Sequence, residues 1–279
     1  ACLVLLVIFF VPLVYAFAIS ISDSDAIINN SFKFVGLKNY FSVMTNSKFL
    51  AALGHTCFFV LTTITLEFII GFVVALLLYR EVAGSRVFRL IFAVPLMVAP
   101  VVSGLQWRWL FADQYGIINA LMNKLGLEAP LWFTQVSTSW VTIIVANLWL
   151  ATPFVILVLL AGLGGLSEEL NEAASIDGAG RWAKIKYVTL PGIKPTIIIL
   201  LLMNVGNVLN AGFEIQYLLG NGLIQKVSQT IDIYVLKWGI SQGDYAIGTA
   251  AGIFKSVVSI ILIFIANKIA KHNGEEQLF

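Results

Sequence analysis

The stretch EELNEAASIDGAGRWAKIKYVTLPGIKP, from Glu168 to Pro195, is a polar segment between two strongly apolar runs. It carries four acidic and four basic residues and is interrupted by Gly and Pro. Elsewhere charge is scarce, because only 11% of the chain is charged, against about 25% in ordinary soluble domains. The segment therefore belongs to a different environment from the rest of the chain.

The composition indicates that this chain lies mostly in lipid. Its 279 residues are 59% apolar, and the mean hydropathy is +0.92. Runs of about 17 to 25 apolar residues can cross a hydrocarbon layer of about 30 Å. Six such runs lie at about 3–20, 53–78, 87–111, 139–163, 196–219 and 247–270. We therefore expect an all-α polytopic membrane protein with six transmembrane helices, a single domain over 1–279, and a loop at 164–195.

Two other interpretations of the apolar runs are weaker. The first run could be a signal peptide, but it lacks a basic n-region and an A-x-A-like cleavage site, so we expect a spanning helix. A transmembrane barrel requires strands that alternate apolar and polar residues, whereas these runs are unbroken.

The basic residues predict the orientation. Nine of them lie in one set of loops: Arg80, Arg86, Arg89, Arg181, Lys184, Lys186, Lys194, Lys268 and Lys271. Six lie in the longer, opposite loops: Lys33, Lys38, Lys48, Lys124, Lys226 and Lys237. Because basic residues accumulate in cytoplasmic loops, we expect the 164–195 loop and both termini in the cytoplasm. The same bias explains the net charge of +2 without a nucleic-acid partner.

The sequence offers little catalytic chemistry. It contains no G-x-x-x-x-G-K-[ST] phosphate-binding loop and no H-E-x-x-H zinc motif. Cys2 and Cys57 lie in or beside apolar runs, and His55 and His272 are isolated. We therefore expect no catalytic residue, metal site or cofactor in this chain.

The first half of the 164–195 loop predicts a short helix. Ser167 is a suitable N-cap, and acidic residues occupy the first turn of EELNEAASI. One face of this helix is small and weakly apolar: Leu170, Ala173, Ala174 and Asp177.

The second half predicts a reversal and another short helix. Gly178 and Gly180 permit positive φ and a tight turn. Apolar residues spaced by three then mark a helix edge: Trp182, Ile185 and Val188. We expect Pro191 and Pro195 to end this helix. On pattern alone, the segment could equally be an amphipathic hairpin on lipid headgroups.

The segment EAASIDGAGRWAKIKYVTLPGIKP closely resembles the EAA motif of the membrane subunits of binding-protein-dependent ABC importers. The matching residues are Glu172, Ala173, Ala174, Asp177, Gly178, Ala179, Pro191 and Pro195. Ile185 and Val188 stand where relatives often carry Phe and Ile. The resemblance implies a type I importer permease in the bacterial inner membrane, with this loop as its coupling helix.

Further stretches resemble the carbohydrate-uptake branch, in particular the maltose- and glycerol-phosphate-type first subunit. They are FVGLKNYFSV at 34–43, GSRVFRLIFAVPLMVAPVVSGLQWRWLF at 84–111, SQTIDIYVLKWG at 228–239 and the 243–271 tail. The resemblance implies five partners or substrates: a second permease subunit, two ATP-binding subunits, an external solute-binding protein and a sugar or oligosaccharide. It also implies contact with membrane lipid, and it places ATP and magnesium on the ATPase subunits.

Polar residues on the fifth apolar run predict a solute pathway. At about 100° per residue, one helical stripe about 140° wide holds Asn204, Asn207, Asn210, Glu214 and Tyr217. Amides and carboxylates beside aromatic rings suit sugar hydroxyls and ring faces. We also expect Asn147 and Trp149 to contribute. The alternative is interhelical hydrogen bonding, which uses Asn for packing.

Glu67 and Lys255 are charges within predicted spans, where an isolated charge is costly. We expect an ion pair, with each other or with the second permease, in preference to a transport role.

Other function classes remain open. An amino-acid or peptide importer shares the EAA loop. A secondary transporter would show inverted repeats, which we do not find. A membrane hydrolase would need a nucleophile and base that the sequence does not supply.

Overall fold

The computed structural model describes residues 2–29, 31–79, 84–207, 209–210, 212–220 and 224–272. Within these ranges the chain is helical, and its only β-pairing is an isolated antiparallel bridge between Ser22 and Phe34. The prediction of an all-α protein is therefore confirmed. Arg80 and the side chain of Lys226, both used to predict the orientation, lie outside what is described.

The described part of the chain forms sixteen α-helices. In chain order they are α1 Cys2–Ser20, α2 Ser24–Ile28, α3 Lys38–Thr45, α4 Ser47–Tyr79, α5 Ser85–Ala93, α6 Pro100–Leu110, α7 Ile117–Lys124, α8 Val136–Gly164, α9 Glu168–Ile176, α10 Arg181–Lys184, α11 Leu190–Gly192, α12 Lys194–Gly206, α13 Phe213–Leu219, α14 Gln225–Ser228, α15 Ile231–Tyr234 and α16 Tyr245–His272. Three other helical segments join them: a 3₁₀ turn at Val94–Met97 and π-helical segments at Ile185–Thr189 and Val235–Ser241.

Three single helices in the described residues are long and apolar enough to cross a bilayer, namely α4, α8 and α16. They contain 33, 29 and 28 residues. Two bent helix pairs, Ser85–Met97 with α6 and Arg181–Gly192 with α12, raise the number to five if each pair is one span. The apolar part of α1, Leu6–Ser20, is shorter than these.

The predicted span at 87–111 is not one straight helix. Its first part, Ser85–Met97, meets α6 at 105°. Two prolines explain the bend, because Pro95 and Pro100 each lack a backbone donor and restrict the preceding residue. Ala99 accordingly has an extended backbone, with φ −61° and ψ 139°.

The predicted span at 196–219 is interrupted as well. The helix α12 ends at Gly206, and α13 begins only at Phe213. Gly212, which precedes α13, has a φ of +73°, a left-handed conformation that a continuous right-handed helix does not contain. An apolar composition alone does not reveal this break.

The long helices α4 and α8 form the central pair of the bundle. They approach closely at Gly71, where an added Cβ would lie 2.8 Å from Cγ1 of Val155. Small residues at such contacts let two helix backbones come together within a membrane. One buried cluster here joins α4, α8 and α12 with the residue before α12: Ala75, Val155, Leu159, Leu163, Ile193 and Leu200.

The remaining helices pack around this pair. α16 lies against α1 and α12, and α13 packs against α6 and α8. A cluster near the α4–α8–α13 junction consists of Phe59, Val60, Ile143, Ala146, Ile215 and Leu219. The helices α4, α8 and α12 thus surround a common space, which contains the polar residues described next.

Candidate functional site

The first helix of the 164–195 loop is capped at both ends. The Ser167 Oγ accepts a hydrogen bond from the Glu169 backbone N–H at 3.2 Å, as the N-cap prediction requires. At the other end, the Ala179 N–H donates to the Ala174 carbonyl at 2.9 Å, and the Gly178 N–H donates to the Ser175 carbonyl at 3.1 Å. These two bonds are a Schellman motif, which satisfies the last carbonyls of α9.

The turn after α9 depends on one glycine. Gly178 has a φ of +76°, whereas Gly180 has a φ of −68°, so only Gly178 uses the positive φ that both glycines permit. A hydrogen bond from Lys184 Nζ to Ser175 Oγ, 2.6 Å long, joins the helices on either side of the turn. Gly178 therefore sets the angle between two short helices that are also held by a side-chain contact.

The second helix of the loop ends between the two prolines that were expected to end it. The helical stretch of α10, the Ile185–Thr189 π segment and α11 passes Pro191 by one residue and stops at Gly192, before Pro195. Proline has no backbone N–H to donate within a helix. The wider π turn just before Pro191 lets the helical stretch continue without that hydrogen bond. The chain bends by 61° between Gly192 and Lys194, and Pro195 lies in the first turn of α12.

The loop exposes large apolar side chains. Ile176 is 86% exposed and Trp182 is 83% exposed, and Leu170 and Tyr187 are exposed as well. Among the motif residues, Glu172, Ala173, Asp177, Gly178 and Pro191 are exposed, while Ala174 and Ala179 are half-buried. Exposed apolar residues beside charged ones on a polar loop are typical of a protein-docking surface.

A cavity of about 250 Å³, lined by both polar and apolar residues, lies among α4, α8, α12 and the segment before α13. The structure brings four of the predicted pathway residues together in its wall: Asn147, Asn204, Asn207 and Asn210. The other lining residues are Phe59, Val60, Thr63, Ile64, Glu67, Leu150, Ala151 and Gly212. We name this space the asparagine cavity.

The asparagines do not form the continuous helical stripe that was predicted. Asn204 lies on α12, but Asn207 and Asn210 follow the helix end, so a continuous helical periodicity does not connect them. Asn210 Nδ2 donates to Asn207 Oδ1 at 3.1 Å, which holds the two side chains side by side. The break at 207–212 places these amides at the cavity wall.

The other three predicted pathway residues lie outside the asparagine cavity. Tyr217 lines a separate cavity of about 450 Å³ with Arg108 and Lys237, and its ring stacks on Phe213. Glu214 does not line the asparagine cavity, because α13 starts a new helix with its own orientation. The ring centroid of Trp149 lies 6.0 Å from that of Trp107, in edge-to-face contact.

The predicted partner of Lys255 was wrong. Lys255 on α16 forms an ion pair with Asp232 on α15, not with Glu67. Glu67 is instead buried at 6% exposure and lines the asparagine cavity with Thr63. The i, i+4 spacing of Thr63 and Glu67 on one helix face was the sequence signal for this placement.

Metal ligands do not gather at either site. In the described ranges, no group of three or more His, Cys, Asp and Glu side chains could hold a metal ion. The asparagine cavity contains amide, hydroxyl and carboxyl groups, which bind ligands through hydrogen bonds.

Comparison with known proteins identifies the kind of molecule. A family model described as the binding-protein-dependent transport system inner membrane component matches residues 67–273. The chain belongs to this family. The matched range includes the whole 164–195 loop and all the residues of the asparagine cavity from Glu67 onward. The permease is therefore a transport component and not an enzyme, as the sequence predicted.

Curated relatives cover most of the permease. Protein LplB of Bacillus subtilis (strain 168) is 35% identical over 250 residues, which are 88% of this chain and 78% of that protein. The trehalose/maltose transport system permease protein MalF of Thermococcus litoralis is 32% identical over 264 residues, which are 94% of this chain and 88% of that protein. The resemblance to importer permeases is thus confirmed across the chain.

A solved structure confirms the fold. A bacterial ABC transporter involved in the import of the acidic polysaccharide alginate matches with a TM-score of 0.88 at 24% identity. The match covers 97% of this chain and 92% of that chain. The permease therefore has the type I ABC importer permease fold.

Proposed function

We propose that the permease forms half of the translocation pathway of an ATP-driven importer for a sugar or oligosaccharide. The observation that carries this proposal is the asparagine cavity, which lies between the long apolar helices α4 and α8 and is lined by four amides. Polar groups between membrane-spanning helices are costly if they contact lipid, so we expect these amides to face a ligand or water.

The chemistry of the cavity suits a saccharide. Amide groups offer donors and acceptors for hydroxyl groups, and the apolar part of the lining, which includes Leu150 and Ala151, suits the C–H face of a sugar ring. Relatives support the same solute class, since one is named for trehalose and maltose and another, in Streptomyces coelicolor, for diacetylchitobiose. Interhelical packing by asparagine alone would not require a cavity.

The proposed partners follow from the exposed 164–195 loop and from the lack of a phosphate-binding motif in this sequence. We propose that Ile176 and Trp182, with the EAA residues around Gly178, dock onto an ATP-binding subunit. ATP and magnesium then belong to two such subunits, while a second permease completes the pathway and an external solute-binding protein delivers the sugar. A related alginate transporter has been solved in complex with a pentasaccharide-bound periplasmic protein, which supports the last of these partners.

The orientation is also part of the proposal. Six crossings of the inner membrane result if α1, α4, α8 and α16 each span once and the α5–α6 and α12–α13 pairs each span once. The basic residues then place both termini and the 164–195 loop in the cytoplasm. This places the docking surface on the side where ATP is available.

The proposal is tested with the complete importer, purified with its co-expressed partners and reconstituted in lipid nanodiscs. ATP hydrolysis is measured with a panel of saccharides and a matched panel of peptides. Stimulation by saccharides supports the proposal. Stimulation by peptides alone identifies an amino-acid or peptide importer, and absence of any ATPase subunit from the purified complex contradicts the proposal of an ATP-driven importer.

A further inference from the structure

The helix α7, in the segment between α6 and α8, has an exposed aliphatic side. Ile117 and Leu121 lie on the helix, and Leu125 follows its last residue. Because these three residues are spaced by four, their side chains lie on one side of α7, and we name them the aliphatic stripe. Each of the three side chains is more than half exposed. Aliphatic side chains exposed in a row indicate a surface that contacts an apolar partner.

Hydrogen bonds fix the orientation of α7. The buried Asn119 donates from Nδ2 to the Asp113 carbonyl at 3.0 Å, and its Oδ1 accepts from Trp132 Nε1 at 2.6 Å. The Trp132 backbone N–H donates to Asp113 Oδ1 at 2.9 Å. Asn119 and Leu121 are two residues apart, about 200° around the helix, so they lie on opposite sides. The bonds to Asn119 therefore hold the aliphatic stripe away from the rest of the chain.

Another side of α7 faces hydrophilic groups. Asn123 lines a cavity of about 560 Å³ together with Asp113, Gln114 and Glu128. Lys124, at the end of the helix, is exposed. The helix thus separates aliphatic side chains from amide and charged ones. This is the amphipathic pattern of a helix that lies in the headgroup region of a bilayer, with its apolar side toward the acyl chains.

The aliphatic stripe is continuous with the apolar surface of a helix in the membrane. Leu105 and Trp109 are exposed on α6, four residues apart. Trp109 contacts Tyr115 edge to face, with ring centroids 5.8 Å apart. Tyr115 is also exposed and lies two residues before α7. Because Trp and Tyr accumulate at the boundary between membrane and water, this pair indicates that α7 lies at the level of the lipid headgroups.

We propose that α7 lies on the bilayer surface with Ile117, Leu121 and Leu125 inserted among lipid chains. In the proposed orientation this is the extracytoplasmic leaflet. A soluble solute-binding protein fits the stripe less well, because a surface that a partner covers and then leaves contains polar groups as well, and leucine seldom dominates such binding. Lipid covers an aliphatic side at all times. The inference goes beyond the proposed function, because it holds for any solute.

The test compares two sides of α7 in the complete importer, reconstituted in nanodiscs. An environment-sensitive fluorescent amino acid, incorporated by nonsense suppression, replaces Leu121 in one variant and the exposed Asn123 in the matched control. The nanodiscs contain lipids with a nitroxide quencher near the headgroup end of the acyl chain. The stripe of an interfacial helix lies about 5 to 10 Å into the boundary between headgroups and chains, so we expect quenching at least about twofold stronger at position 121 than at position 123. Emission at position 121 should also occur at the shorter wavelength.

Other occupants of the stripe give different results, and each overturns the inference. Weak and equal quenching at both positions, with long-wavelength emission, shows that the stripe faces water. Short-wavelength emission at position 121 without quenching by the nitroxide lipid shows that protein covers it. A wavelength shift that requires added solute-binding protein identifies that protein as the occupant.

A second position on the stripe keeps the test decisive. If the complex does not assemble with the fluorescent residue at position 121, the same residue in place of Leu125 carries the same expectation. Failure of this inference leaves the saccharide proposal intact, because α7 contributes no residue to the asparagine cavity.

Discussion

Lys255 of α16 forms an ion pair with Asp232 of α15, and both side chains are mostly buried, at 14% and 27% exposure. The π segment Val235–Ser241 and the turn after it separate the two helices along the chain. The ion pair therefore fixes α15 against a spanning helix, and Lys255 is not available as a partner for Glu67.

Removing one member of this pair should destabilise the permease. Lys255→Met leaves the Asp232 carboxylate partly buried without a cation, which we expect to cost about 1 to 3 kcal/mol. Thermal unfolding of the purified complex measures the loss. The double variant with Asp232→Leu should recover part of the stability, and a double variant less stable than Lys255→Met would contradict this role.

Replacing Gly178 should impair coupling. Alanine at a φ of +76° costs about 1 to 2 kcal/mol, although nothing lies within 4 Å of the added Cβ. We expect the docked loop geometry to be about five- to thirtyfold less populated, with a corresponding fall in solute-stimulated ATP hydrolysis. Gly180→Ala is the matched control, because Gly180 has equally open surroundings but a negative φ. If both variants lowered solute-stimulated ATP hydrolysis equally, the positive φ of Gly178 would not be the cause of the loss.

Replacing Ile176 should weaken attachment of the ATPase subunits. This side chain is 86% exposed on the loop, and Ile176→Ser removes its apolar contact with the partner. We expect less ATPase to co-purify with the permease, while the amount of permease in the membrane stays the same. Ile117→Ser provides the control, since Ile117 is 63% exposed on α7, in a loop predicted to face the opposite side. A similar loss with both variants would argue against a docking surface at Ile176.

Adding a side chain at Gly71 should separate α4 from α8. An alanine Cβ would lie 2.8 Å from Cγ1 of Val155, which is fully buried and stiff. We expect Gly71→Ala to lower the free energy of unfolding by about 1 to 3 kcal/mol, measured by thermal unfolding. Gly54→Ala, with nothing within 4 Å on the same helix, should have little effect. Val155→Ala should suppress the Gly71→Ala defect, and failure of this suppression would place the clash elsewhere.

The 164–195 loop was the most predictable part of the molecule. Its first helix is determined by local signals, namely the Ser167 cap and the Gly178 stop, and both occur as expected. Local hydrogen bonds and backbone sterics decide such features, so the sequence contains them. The π segment before Pro191 was not predictable, because its wider turn depends on how the chain continues into α12.

The cavity was predictable in part. Four of the predicted asparagines line one cavity, although the prediction assumed a continuous helix that the structure breaks after Gly206. Glu214 and Tyr217 were assigned by the same assumption and lie elsewhere. The partner of Lys255 could not be deduced, because α15 and α16 meet only through tertiary packing.

The most direct test of the account is saccharide-stimulated ATP hydrolysis by the complete importer, measured as a function of saccharide concentration. The account predicts that Asn204→Leu, in the cavity, raises the concentration needed for half-maximal stimulation, because it removes a ligand contact. It predicts that Gly178→Ala, in the loop, lowers the maximal rate, because it weakens the transmission of the ligand signal. If Asn204→Leu leaves the concentration dependence unchanged while the complex assembles normally, the asparagine cavity is not the solute site and the central claim is contradicted.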